Sequence, residues 1–119
     1  MEDLISLLFL ARDLAHREHL RTKSFSQHMA LGSFYDAIID NADAIAEAYQ
    51  GTYNLMDYIP IEGYTGKAGI IPLLEKHVKW IADNRYKICS KEDTAIQNLI
   101  DTAVETYSST LYKLRFLSW

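Results

Sequence analysis

At 119 residues, the chain is long enough for one ordinary domain with a real core and short for two. Hydrophobic residues make up 49% and charged residues 24%, a composition typical of folded rather than disordered proteins. The formal net charge of −4 disfavours nucleic-acid binding, and the single cysteine excludes an intrachain disulfide. We therefore expect one domain over residues 1–119 and no binding to DNA.

The apolar stretch at residues 4–10 is too short to span a membrane. It follows two acids, whereas a signal peptide begins with basic residues. We expect a complete, untargeted chain with a cytoplasmic location and no membrane association.

Two helices are predicted in the first half of the chain. Apolar residues recur at steps of three and four from Leu4 to Ala15, which predicts an amphipathic helix over residues 3–21. Ser24 and Gln27 have the spacing of a capping box, and the following apolar stripe continues until Gly51. The sequence therefore predicts a long second helix over residues 24–50.

Two more helices are predicted after a long connection. Residues 51–69 hold four of the five glycines and fit no regular period. Pro72 suits the first position of a third helix, which we expect to run to about residue 87. Ser90 and Asp93 resemble a second capping box and predict a fourth helix that ends near residues 113–115.

Short connections within each helix pair and a long one between the pairs are typical of one fold class. We expect an all-α four-helix bundle, ferritin-like, in which a long crossover joins helices 2 and 3. The Glu-x-x-His pairs of ordinary di-iron bundles are absent from the sequence, as are a phosphate-binding glycine loop, a nucleophile elbow and an HExxH motif.

The second helix carries acids on one face. A turn of 100° per residue places four carboxylates within a sector of about 60°; they belong to Asp36, Asp40, Asp43 and Glu47. No Lys or Arg occurs between Lys23 and Lys67. Like charges four residues apart destabilise a helix, so a bound cation would compensate them.

Imidazole groups lie close to these acids in the sequence, at His16, His19 and His28. Carboxylate and imidazole together suit iron, manganese or zinc. A solvated acidic face and ordinary surface histidines explain the same pattern equally well. Gly32 costs the second helix on the order of 1 kcal/mol and indicates either close packing or simple tolerance. We expect His77 to be a core or interface residue.

The segment AHREHLRTKSFSQHMALGSFYDAIIDNADAIAEAYQG, residues 15–51, resembles the metal-site region of the Dps-like miniferritins and, more closely, small phage-encoded relatives of them. Miniferritins carry a histidine on the first helix, a histidine and an acid early in the second, and an Asp-x-x-x-Glu pair further along. His28, Asp43 and Glu47 fall at that spacing. Either His16 or His19 supplies the first-helix histidine.

The resemblance implies an iron-binding homo-oligomer, forming a hollow shell, with the metal between two subunits. It also implies oxidation of Fe(II). Gly32 departs from the family pattern at this point, because it stands where miniferritins have their early aspartate. Asp36, one turn on, is the available substitute. No lysine-rich tail of the kind that binds DNA in some members is present.

A second hypothesis belongs to a different class. The chain would then be a structural or interaction protein that keeps the ferritin-like bundle without its chemistry, such as a component of a phage virion. Its location would be the host cytoplasm or the virion. Gly32 and the short chain favour this alternative.

Overall fold

The computed structural model describes residues 1–117 and contains four helices. They are α1 (Glu2–Arg21), α2 (Phe25–Thr52), α3 (Ile70–Ile88) and α4 (Thr94–Phe116). No strand occurs in this part of the chain. The prediction of an all-helical chain with four helices is confirmed.

The start of α2 is capped as predicted. The Gln27 amide donates to the Ser24 hydroxyl at 3.3 Å, which satisfies one of the amides that a helix leaves unpaired at its first turn. The predicted stop at Gly51 is wrong, because the backbone there is not left-handed and the helix continues to Thr52. The Tyr53 amide then closes the last turn on the Tyr49 carbonyl oxygen.

Both helices of the second half begin at a different residue from the one predicted. α3 begins at Ile70, two residues before Pro72. α4 begins at Thr94 with Asp93, rather than Ser90, as its N-cap. The Ser90 hydroxyl donates to the Glu92 carboxylate at 2.5 Å, and the Asp93 amide donates to the Ser90 carbonyl oxygen. Ser90 therefore belongs to a turn that precedes the helix.

The helices pack as a four-helix bundle in which α1 contacts α2 and α3, and α4 contacts the same two. The molecule measures 44 × 26 × 22 Å along its principal axes. All four helices contribute fully buried side chains, among them Leu8, Phe34, Leu74, Ile81 and Tyr107. Each large apolar side chain removed from water stabilises the fold by roughly 1.5–3 kcal/mol before entropy is counted.

The segment between α2 and α3, residues 53–69, lies along α1. The Asp57 amide donates to Glu2, and the Ser6 hydroxyl donates to the Pro60 carbonyl oxygen at 2.6 Å. Further on, the Arg17 guanidinium donates to the Tyr64 carbonyl oxygen at 3.0 Å. As the numbers rise along the segment, its partners move from the first turn of α1 towards its last.

Within the part of the chain that the structure describes, no helix combines the length and apolarity needed to cross a bilayer.

Candidate metal site

Three predicted ligands come together where α1 ends and α2 begins. The rings of His19 and His28 are stacked, with centroids 3.6 Å apart and planes 19° apart. The ring of His16 lies 6.1 Å from that of His19. Because only residues 22–24 separate the two helices, the last turn of α1 faces the first turn of α2. We call these three residues the histidine cluster.

Reciprocal hydrogen bonds fix the stacked pair. Nδ1 of His19 is 2.6 Å from the carbonyl oxygen of His28, and Nδ1 of His28 is 2.7 Å from the carbonyl oxygen of His19. A carbonyl oxygen can only accept, so Nδ1 of each ring carries the proton. In the neutral ring, Nε2 then keeps its lone pair.

Gly32 provides room for one of these rings. A Cβ atom built on Gly32 would lie 3.1 Å from Cε1 and 3.3 Å from Nδ1 of His19. Such distances are tighter than ordinary van der Waals contact. Of the two sequence interpretations of Gly32, close packing is therefore the correct one, and the packed group is an imidazole.

Tyr35 is a further member of the site, one that the sequence analysis did not identify. Its ring stacks on His16 with centroids 4.4 Å apart and meets the edge of His19 at 5.3 Å. Tyr35 follows His28 by seven residues, two helical turns, so both lie on one face. That spacing is the signal that could have identified it.

The carboxylates of α2 form a separate, exposed face. The four side chains predicted to share it are all exposed; they are Asp36, Asp40, Asp43 and Glu47. None forms an ion pair with a basic side chain among residues 1–117. No basic side chain among the described residues therefore offsets their mutual repulsion.

One chain does not bring the histidines and the Asp/Glu pair together. His28 and Asp43 are fifteen residues apart on one helix, which is about 22 Å along its axis. In the described residues, no three His, Cys, Asp or Glu side chains are grouped closely enough to hold a metal ion. The donor types fit a divalent transition metal, but they are divided between two patches.

His77 lies apart from this site, in the core. It is 6% exposed, and its Nδ1 is 3.1 Å from the hydroxyl oxygen of Tyr107, which is fully buried. Burial, with a smaller contribution from the charge of Lys76, lowers the pKa of His77 to about 4. A neutral, enclosed imidazole of this kind is a packing residue, in agreement with the sequence expectation.

Cys89 is likewise a structural residue. Its thiol is buried and donates to the Asp93 carboxylate at 3.0 Å. Burial and that hydrogen bond raise the pKa of Cys89 to about 11, so the reactive thiolate is disfavoured. The Tyr53 hydroxyl donates to the same carboxylate oxygen, which ties the start of the central connection to the turn between α3 and α4.

Comparison with known proteins places most of the chain in a family without an assigned activity. The match covers residues 19–114 and includes His19, His28 and Gly32, while His16 lies outside it. No curated protein and no solved structure matches the chain. The chain belongs to the family described as a family of unknown function, DUF5856.

Proposed function

We propose that this protein is a ferritin-like, metal-binding homo-oligomer that holds a divalent transition metal between two subunits. The ligands would be His28 and either His16 or His19 from one subunit, with Asp43 and Glu47 from another. Asp36, one helical turn after Gly32, would be an additional carboxylate ligand. Iron is the metal that the miniferritin resemblance implies, and Fe(II) oxidation is the activity that it implies.

The observation that carries this proposal is the pair of reciprocal hydrogen bonds that fixes the rings of His19 and His28. Histidines that bind metals almost always donate their second ring N–H to a carbonyl or carboxylate, which fixes the tautomer and the ring orientation. His19 and His28 both make that bond to backbone carbonyl oxygens. Packing alone does not account for two half-buried imidazoles whose tautomer and ring orientation are both fixed.

The unpaired acids support a site between subunits. Asp43 and Glu47 are exposed and lack basic partners among the described residues. A second copy with its α2 antiparallel to the first would bring its own Asp43 and Glu47 to the histidine cluster. The ion would then offset the like-charge repulsion on both copies.

The course of the central connection supports the ferritin-like topology. Residues 53–69 lie along α1 from its beginning towards its end. A connection of that course returns the chain to the opposite end of the bundle before α3 begins. The long crossover between helices 2 and 3 requires such a return.

Anaerobic titration with Fe(II), followed by calorimetry and metal analysis, tests the proposal. We expect stoichiometric binding by the wild-type protein and its loss in a variant that carries both Asp43→Asn and Glu47→Gln. Glu105→Gln, which neutralises an exposed acid on α4, is the matched control and should bind normally. Sedimentation should show an oligomer. Absence of Fe(II) binding by the wild-type protein would refute the proposal.

The alternative proposal is a structural or interaction protein, such as a phage virion component in the host cytoplasm or the virion. Apolar side chains left exposed favour it: Leu20 is 72% exposed and Phe25 76%, both beside the histidine cluster. Exposed apolar surface of this kind marks contact sites. Purified protein that is monomeric and does not bind metal would support this alternative over the first proposal.

A further inference from the structure

We propose that copies of this chain associate head to tail, with the connection between α2 and α3 of one copy seated in a groove of the next. The docking element is the apolar ladder, formed by Leu55, Tyr58 and Ile61. The receiving element is the basic groove, a cavity of about 460 Å³ lined by Phe25, Ser26, Met29, Ala30, Lys113 and Leu117. This contact goes beyond the proposed metal site, because neither element contains a proposed ligand.

The apolar ladder belongs to an extended part of the connection. Among the described residues, no backbone–backbone hydrogen bond involves residues 54–68. Met56 and Ile59 pack against the core from this segment. The ladder residues, also three apart, are 79% to 95% exposed. A period of three is typical of an extended chain of the polyproline type. The connection is therefore anchored on one side and presents apolar side chains to solvent on the other.

Three exposed apolar side chains on one side of one segment need an explanation. Single exposed apolar residues are ordinary on a protein surface, whereas a contiguous patch marks a contact site. Tyr58 lies at the centre of the ladder and is the most exposed of the three. Tyrosine is one of the residues that most often anchors a protein interface by filling a pocket on the partner.

The basic groove is a pocket of suitable size for such an anchor. It lies between the first two turns of α2 and the end of α4. Phe25 is 76% exposed and Met29 53%, so its apolar walls are open to solvent. Cavities of about 300–1,000 Å³ bury most of a small ligand. An aromatic side chain from a neighbouring copy therefore fits.

The charges around the two elements are complementary. Lys113 lines the groove and Lys23 lies two residues before Phe25, and neither lysine forms an ion pair among residues 1–117. Asp57 lies within the ladder and Glu62 follows it, and these acids also lack ion pairs in the described chain. Opposite charges favour contact of ladder with groove and disfavour contact of either element with itself.

The acidic face of α2 is a weaker match for the groove. It carries four carboxylates, but no large apolar side chain is exposed between residues 30 and 52. That face could contact the groove by charge alone. The ladder offers both an acid and apolar anchors, so it is the better occupant.

The two elements lie at opposite ends of α1. The Asp57 amide donates to Glu2 in the first turn of that helix, whereas Phe25 follows its last residue, Arg21, by four positions. A helix of this length spans about 30 Å, so one copy cannot fill its own groove with its own ladder. A contact between two different surfaces forms a ring when the rotation between copies closes, and a filament when it does not.

Mixing two variants tests the head-to-tail contact. Tyr58→Ser removes the centre of the ladder, and Met29→Glu places an acid in the groove. In sedimentation velocity, each variant alone should associate through this contact at least about tenfold more weakly than the wild-type protein. An equimolar mixture should form a larger species than either variant alone, because the ladder of one variant and the groove of the other are intact.

Tyr86→Ser is the matched control for Tyr58→Ser, because it removes an exposed tyrosine from α3. It should associate like the wild-type protein. Circular dichroism should show the same helix content in all three variants. A mixture that associates no better than its two components would overturn the proposal, since a contact between identical surfaces gives that result.

Charge reversal tests the electrostatic match. Lys113→Glu and Asp57→Lys should each weaken association, and a chain carrying both changes should recover most of the lost affinity. Lys87→Glu, which reverses a lysine in the last turn of α3, is the control for Lys113→Glu and should have no effect. A double variant that associates no better than the weaker single variant would contradict the proposed pairing of ladder and groove.

A photo-crosslink identifies the occupant of the groove. With p-benzoylphenylalanine in place of Met29, mass spectrometry should find crosslinks to the ladder of another copy, distinguished by mixing isotope-labelled and unlabelled chains. Crosslinks to Trp119 of the same chain, a residue outside the described part, would assign the groove to the chain's own end and overturn the proposal. Crosslinks confined to any other segment would overturn it as well.

Failure of this inference and failure of the proposed function give different results. A wild-type oligomer that is unaffected by Tyr58→Ser and Met29→Glu overturns the inference and leaves the intersubunit metal site standing. Association through this contact without Fe(II) binding supports the inference and refutes the proposed function. A wild-type protein that stays monomeric at all concentrations overturns both.

Discussion

The molecule uses histidine in two regions under opposite conditions. His77 lies in the core, where its Nδ1 meets the Tyr107 hydroxyl and burial keeps it neutral. His19 and His28 lie at the surface of the α1–α2 hairpin, where backbone carbonyl oxygens hold both Nδ1 atoms. In the core, the His77 imidazole packs as a neutral side chain with one polar contact. The surface arrangement leaves a ring nitrogen available to a ligand.

Both regions have a hydrogen bond at Nδ1, so that bond alone does not distinguish a surface imidazole from a core one. What differs is the solvent access of the ring and the chemical nature of the partner. A tyrosine hydroxyl can donate or accept, so it leaves the tautomer of His77 undetermined. A carbonyl oxygen only accepts and settles the tautomer of the surface pair.

The largest expected effect is a loss of folding stability at acidic pH, caused by His77. Its pKa is about 4 in the folded protein and 6.5 in a model compound. Between these values the unfolded chain binds a proton that the folded chain does not, so stability falls as pH decreases through this window. The full loss is about 3 kcal/mol, of which about 2 kcal/mol is reached by pH 5. Urea denaturation at pH 7, 6 and 5 measures it.

His77→Phe is the control for this pH dependence, because it keeps an aromatic ring in the core and removes the titrating group. Its free energy of unfolding should change much less between pH 7 and 5. A variant with the same slope as the wild-type protein would show that His77 is not the acid-sensitive group. The comparison between buried and surface histidines would then fail.

Removal of the Tyr107 hydroxyl should have the next largest effect. Tyr107→Phe keeps the ring beside Phe34, 5.2 Å away, but deprives buried His77 of its partner. An unsatisfied buried polar group costs about 1–3 kcal/mol, so we expect a loss near 2 kcal/mol in urea denaturation at pH 7. Unchanged stability would mean that another group satisfies His77.

A smaller stability effect is expected at the surface pair. His28→Ala removes one of the two reciprocal hydrogen bonds, but water can reach the freed carbonyl oxygen of His19 because the pair is half-buried. We expect a loss of about 1 kcal/mol, measured by urea denaturation at pH 7. A loss of about 3 kcal/mol or more is typical of substitutions in a packed core. Such a loss would show that the pair is chiefly structural, like His77.

The smallest changes in the free energy of unfolding are expected from substituting the two glycines of α2, Gly32 and Gly51. Gly51→Ala should raise the free energy of unfolding by about 0.5 kcal/mol, since alanine restricts the unfolded chain and its methyl group meets nothing. Gly32→Ala should gain less or lose slightly, because its methyl group pushes the His19 ring. Thermal denaturation of the two variants side by side measures the difference. An equal gain in both would mean that the ring moves away at no cost.

The four helices could be predicted because their signals are local. Apolar periodicity and the Ser24 cap act over a few residues, and the structure follows them at α1 and at the start of α2. The errors fall at ends where tertiary contacts compete. Ser90 has the right spacing for a cap, yet its hydroxyl bonds to Glu92 within a turn, and Asp93 becomes the N-cap.

The candidate site could be predicted only as a set of residue types. Sequence spacing indicated histidines near the hairpin and acids along α2, and the structure brings the histidines together while leaving the acids on their own face. The reciprocal bonds of His19 and His28 depend on how the two helices meet, which no periodicity encodes. Whether iron binds between subunits stays a prediction.

The close approach of His19 to Gly32 has a consequence for how this family can vary. A side chain at position 32 and an imidazole at position 19 compete for one space, so the two positions are coupled and their substitutions should not be additive. A relative with aspartate at the position of Gly32 should carry a smaller residue at that of His19. Within the family, positions 19 and 32 should therefore change together, as a pair, rather than one at a time.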